Sequence, residues 1–130
     1  MFTRPQTLVE VSRRARSGED DFDHALREFL DHFYTADGTG RQTSIAEPPL
    51  AMDPLRDAFI AATAEHLARR WGLELPHWTD DHGFTLTRPH FSGGLDSLKA
   101  ILTAESPTAF RRRLLFISAN ALDRASMPLS

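Results

Sequence analysis

The chain has 130 residues, 41% of them hydrophobic and 25% charged, with a formal net charge of −3. That is one domain's worth of chain, able to bury a core, and its overall charge is a poor match to nucleic acid. The absence of cysteine excludes disulfides, thiolate metal sites and a cysteine nucleophile, and fits a reducing cytoplasm.

From the N-terminus, "MFTRPQTLVEVSRR" has no apolar signal core, and no later run approaches the roughly 20 apolar residues a membrane span needs. A first helix is predicted over 5–17, where Leu8, Val11 and Ala15 recur at helical spacing and Gly18 supplies a stop. Over 20–36 one stripe runs through Phe22, Ala25, Leu26, Phe29, Leu30, Phe33 and Tyr34, with acids in the first turn. Each of its aromatics contributes roughly 1.5–3 kcal/mol if fully buried, which makes this helix the predicted centre of the core. Residues 38–52 are predicted to be a loop, because Pro48-Pro49 forbids a helix there.

Asp53-Pro54 opens the next helix, 54–71, with a capping acid and a proline at the first helical position. Leu55, Phe59 and Ala62 form one apolar row and Ile60, Ala64, Leu67 and Trp71 a second. Arg69, Arg70 and Gly72 end the helix. Residues 73–93 read as an ordered irregular segment held by Trp78, Phe84 and Phe91, with short extended pieces near 84–87. A short helix follows over 95–105. Ser106-Pro107 then repeats the cap-plus-proline signal before "PTAFRRR". "LLFIS" fits either a strand or a buried helix, and Ser118 is placed to cap a last helix, "ANALDRAS". The sum is a mainly α fold: residues 1–130 form a single compact helical domain with two longer helices (20–36 and 54–71) and several short ones.

Two segments invite a chemical reading. "SGGLDS" (92–97) spells the phosphate loop of ATP pyrophosphatases, in which glycines let backbone N–H groups approach a phosphate at a helix start. Such a loop follows a buried strand of a parallel sheet. Here it follows the charged, proline-containing "TLTRPH", so a loop leading to a helix is preferred and an ATP-binding enzyme is the alternative. "PHWTDDHGF" gathers His77, Asp80, Asp81 and His82, the best candidate for a metal-binding hydrolase, although aspartates in loops commonly serve turns. Asp20, His24 and Asp31 fall on the polar side of the 20–36 helix, where three groups do not close round an ion unaided. No serine sits in a nucleophile elbow. No catalytic residue, cofactor or metal is assigned.

The charge is uneven: 18–38 is rich in acids, whereas Arg111, Arg112, Arg113 and Arg124 cluster near the end. Three consecutive arginines on a short helix cannot point the same way. They either pair with the acidic 20–36 helix, dock an acidic partner, or touch nucleic acid; the net charge disfavours the last.

The stretches "DFDHALREFLDHFY", "AEHLARRWGLELPHWTDD", "GGLDSLKAIL" and "ESPTAFRRRLLFISANALDRA" together resemble a family of small bacterial proteins. That family is similar to the C-terminal region found behind a DNA-binding helix-turn-helix in antitoxin-type regulators. The resemblance spans about residues 7–126 and is most specific over the last 25 residues. It implies a cytoplasmic, non-enzymatic antitoxin that binds and neutralises a nucleotidyltransferase-like toxin encoded beside it; a homodimer stays open. Nothing before residue 20 is long enough for the DNA-binding domain, so autoregulation by DNA binding is not expected. In that family pattern "GGLDS" looks like a tolerated loop-to-helix start. The candidate partner contacts are Phe110, Arg111 and Arg112, followed by Trp78 and Phe91, arginine being favoured at energetic anchors; core positions or internal salt bridges are the alternative for all five.

Overall fold

The computed structural model describes residues 3–81, 84–91, 105–118, 121–124 and 127. Helix α1 (Leu8–Ser17) starts where Thr7 Oγ1 accepts from the Glu10 N–H, and it ends at Gly18, whose φ of +76° suits a residue without a Cβ. Helix α2 (Phe22–Thr35) starts at Asp21 and buries the whole predicted stripe, Phe22 to Tyr34.

Residues 38–46 correct the loop predicted over 38–52: Gly38–Ala46 is helix α3, capped by Asp37, whose Oδ1 accepts from the Gly40 N–H at 2.7 Å. Pro48-Pro49 lies beyond the helix and limits its length rather than its existence. Arg41 ties α3 to the end of α2 by donating to the Tyr34 carbonyl and to the Phe33 carbonyl, which also accepts from the Ala36 N–H. Ile45 is buried beneath α3, and its carbonyl accepts from Trp78 Nε1.

Helix α4 (Pro54–Arg70) is capped by Asp53, whose Oδ1 accepts from the Arg56 N–H. Ala58, Ile60, Ala61, Ala62, Thr63, Ala64, Glu65, Leu67 and Ala68 are all buried, so α4 shares the centre of the core with α2. Its alanines let neighbours approach closely, and Thr63 satisfies its hydroxyl on the Phe59 carbonyl. Phe59 meets Phe22 of α2 edge-on, with ring centroids 6.2 Å apart, and also meets Phe110 at 5.1 Å.

Between α4 and residue 91 the described chain is irregular apart from a 3-10 turn at His77–Asp80 and strand β1 (His90–Phe91). Trp78 and Phe84 pack edge-on, as predicted for this segment. The extended piece lies at 90–91 rather than at 84–87. It pairs in parallel with β2 (Leu115–Phe116), and Phe91 stacks on Phe116 at 4.8 Å. "LLFIS" is therefore a strand over Leu115–Phe116. Between the strands lies α5 (Thr108–Arg111), whose N-cap is Pro107 without a side-chain bond. Ser106 does not cap it. Instead its hydroxyl donates to the Ile117 carbonyl and accepts the Ile117 N–H, fastening the start of α5 to the end of β2.

Among the described residues the predicted last helix is absent: residues 121–124 are turn and irregular, with Leu122 buried and its carbonyl accepting from the Tyr34 hydroxyl. The predicted 95–105 helix lies outside the described residues except for Glu105. The described chain is mainly helical, with five α-helices, two short parallel strands and one compact core. No described helix is long and apolar enough to cross a membrane.

Candidate docking face

The three consecutive arginines separate as the end of α5 tightens into a turn. Arg113 N–H donates to the Phe110 carbonyl and Leu114 N–H to the Arg111 carbonyl. Leu114 then takes φ +64°, a left-handed conformation costly for a residue with a Cβ. This corner turns the chain inward at Arg113 and outward at its two predecessors.

Arg113 is 1% exposed, and so is Glu65 of α4, to which it is bonded. Arg113 Nη1 donates to Glu65 Oε1 at 2.7 Å and to the Ala109 carbonyl at 2.8 Å, while Nη2 donates to the Thr79 carbonyl at 2.7 Å. One buried guanidinium thus fastens α4, α5 and the 3-10 turn. Glu65 Oε2 accepts from Arg69 Nε at 2.8 Å, and Arg112 Nε stands 3.5 Å from Oε1. Burial pushes the Glu65 carboxyl up, but hydrogen bonds from Arg113 and Arg69, with the charges of Arg113 and Arg112, outweigh burial and hold it below the usual carboxylate range. It is therefore ionised at neutral pH.

Four exposed arginines adjoin this cluster on one face: Arg69 and Arg112 contact Glu65, Arg69 and Arg70 line one groove with Thr108, and Arg111 bonds Thr108. Arg112 Nη2 donates to Asp80 Oδ1 at 2.9 Å, and Arg111 Nη2 to Thr108 Oγ1 at 3.3 Å. Arg70 lies over the Trp71 ring at 5.2 Å. Carboxylates near them among the described residues include Glu65, Asp80, which is bonded to Arg112, and Asp123, whose charge reaches His66. A surface groove of about 330 Å³ opens in the face, lined by His66, Arg69, Arg70, Pro107, Thr108 and Ala109. Burial and the Arg70 charge push the His66 imidazole below its ordinary range, against the opposing pull of Asp123, so the ring is neutral at pH 7 and adds no charge to the groove.

The expected contacts divide. Phe110 is 0% exposed, edge-on to Phe59, and Trp78 is buried with its indole N–H bonded to the Ile45 carbonyl. Both lie in the core in this conformation. Arg111 and Arg112 are exposed on the face just described. Phe91 is half-buried against Phe116 on the two-stranded ladder.

Pairing of the arginine run with α2 is also corrected: Arg112 and Arg113 engage Glu65 and Asp80. It is Arg124 that reaches α2, in a forked pair with Asp31 at 2.9 and 3.0 Å. Much of the remaining acidic segment is occupied nearby. Glu19 pairs with Arg13, Glu28 with Arg4, and Asp20 with His24. The sequence reading missed Glu65, His66 and Arg113. A signal existed for Glu65, which falls seven residues after Ala58 and four after Ala61, on the same buried side of α4.

"SGGLDS" and His82 lie outside the described residues. Among the described residues no three His, Asp or Glu gather as a metal site. A second cleft, about 390 Å³, opens between the starts of α2 and α4, with Phe22, Leu55, Phe59 and Ile117 lining it beside Asp21, Asp23, Arg56 and His90. No family model, curated protein or solved structure matches the chain.

Proposed function

We propose that this chain is a non-enzymatic binding protein that neutralises a nucleotidyltransferase-like toxin by direct contact, with the face formed by Arg69, Arg70, Arg111 and Arg112 seated on an acidic surface of the toxin. The observation that carries this reading is the exposure of those four guanidiniums over a buried ion cluster that fixes the backbone beneath them. Pre-organised arginines lose little freedom on binding and pair with carboxylates through two parallel N–H donors. The resemblance of the four stretches is the support for reading that partner as a nucleotidyltransferase-like toxin. A stable interface of standard size buries roughly 1,200–2,000 Å² in total, an area that extends past the groove onto the neighbouring surface of α4 and α5.

The test is co-expression with the product of the adjacent gene. Growth inhibited by that product alone is restored by this chain, and the two proteins purify as one complex. Unrelieved inhibition with no complex contradicts the proposal.

A further inference from the structure

The groove between the last turn of α4 and the start of α5 differs chemically from the face around it. Its floor is Pro107, Ala109 and the edge of the neutral His66 ring, and its walls are Arg69, Arg70 and Thr108. Ala109 is buried in the core and Pro107 half-buried, so the floor is fixed, whereas the wall arginines are exposed. Arg111 stands at the rim through its bond to Thr108. A phosphate needs several donors converging on one point. Here the donors ring an apolar depression, and Thr108 Oγ1 already accepts from Arg111. A carboxylate-bearing chain with one apolar side chain matches both parts at once, with the apolar group on the floor and acids on either side facing guanidinium forks.

We infer that this groove is the receptor for a short acidic segment of the partner that carries a single apolar anchor residue. The inference rests on the binding-protein reading and deepens it by naming what the partner presents. Nucleic acid is the competing class. It needs a basic stripe that tracks a backbone and aromatic platforms for its bases, and the tryptophan beside this groove, Trp71, is covered by the Arg70 guanidinium.

The experiment measures fluorescence anisotropy of the purified chain with labelled peptides EELEE and EESEE and with a single-stranded oligonucleotide. EELEE is expected to bind saturably and more weakly as salt rises, and EESEE about tenfold more weakly than EELEE. Thr108→Trp fills the groove without removing a charge, and Arg70→Glu reverses one wall; each is expected to weaken EELEE at least about tenfold. Melting curves of both variants identify any loss that comes from unfolding. In that event Arg111→Glu, a charge reversal at the exposed rim, serves as the second comparison and is expected to weaken EELEE at least about tenfold.

Equal affinity for the two peptides, unchanged binding in a folded Thr108→Trp protein, or tighter binding of the oligonucleotide overturns the inference. Failure here is distinguishable from failure of the functional reading. A toxin complex that forms equally well with Thr108→Trp removes the groove and leaves the antitoxin. Peptide binding without any toxin complex removes the antitoxin and leaves the groove.

Discussion

Arg113 and Glu65, 48 residues apart in the chain, meet at 2.7 Å with both side chains withdrawn from solvent. Their bond joins the arginine run to the middle of α4 and decides which of the three arginines faces outward. A buried pair of this kind is costly to break from one side, because the remaining charge keeps its desolvation penalty. Arg113→Met is predicted to lower unfolding free energy by about 3–5 kcal/mol, read from urea denaturation. The double variant Arg113→Met with Glu65→Leu is predicted to recover a large part of that loss. Equal stability of wild type and Arg113→Met would remove the cluster from the account.

Acid pH should act on the same region. Both Glu65 and His66 titrate below their ordinary ranges in the folded chain. A depressed folded value means that stability is fully present above the unfolded value and is lost as pH falls through the folded one. Loss attributable to His66 therefore begins below about pH 6.5, and loss from Glu65 below about pH 4.3. His66→Phe is predicted to flatten the first part of the urea-midpoint profile and leave the second.

Alkaline pH should act on α2, where Tyr34 packs against Trp71 at the end of α4. The Tyr34 phenol is pushed up to about 12 by burial and by the charge of Asp123. Its neutral hydroxyl donates to the Leu122 carbonyl at 2.9 Å. A raised folded value makes this contribution complete below the unfolded phenol value of about 10 and lost as pH rises toward 12. Tyr34→Phe is predicted to show a shallower fall in melting temperature across that window.

Leu114 is the one described residue other than glycine with a positive φ. Leu114→Ile adds branching at Cβ in a conformation that already crowds it, and is predicted to cost about 1–2 kcal/mol. Leu114→Gly removes a half-buried side chain but also the strain, and is predicted to cost less than Leu114→Ile. The reverse order in thermal denaturation would show that the corner is unstrained.

Much of this architecture is legible in the sequence because local signals and packing agree. The stripe from Phe22 to Tyr34 has the helical period, and Asp53-Pro54 marks the start of α4 within the capping geometry seen. The signals failed where a side chain chose a distant partner over a local one. Ser106 looks like a helix cap but is taken by Ile117, and Gly38–Gly40 looks like loop until Asp37 and Arg41 hold it as a helix. The docking face was half legible. The arginine run is plain in the sequence, but which arginine turns inward depends on Glu65 and on Leu114, and neither choice is visible in local periodicity. Phe110 fits two roles in the sequence for the same reason: beside three arginines it looks like a surface anchor, yet one helical turn places it against Phe59.

The measurement that bears most directly on the central claim is co-purification of the adjacent gene's product with wild-type chain and with Arg70→Glu plus Arg111→Glu. Both positions are exposed and spare the Glu65–Arg113 pair. A stoichiometric complex with wild type, lost or weakened at least about tenfold in a variant of unchanged circular dichroism, is the predicted result. A complex that survives the double charge reversal at equal affinity contradicts the account.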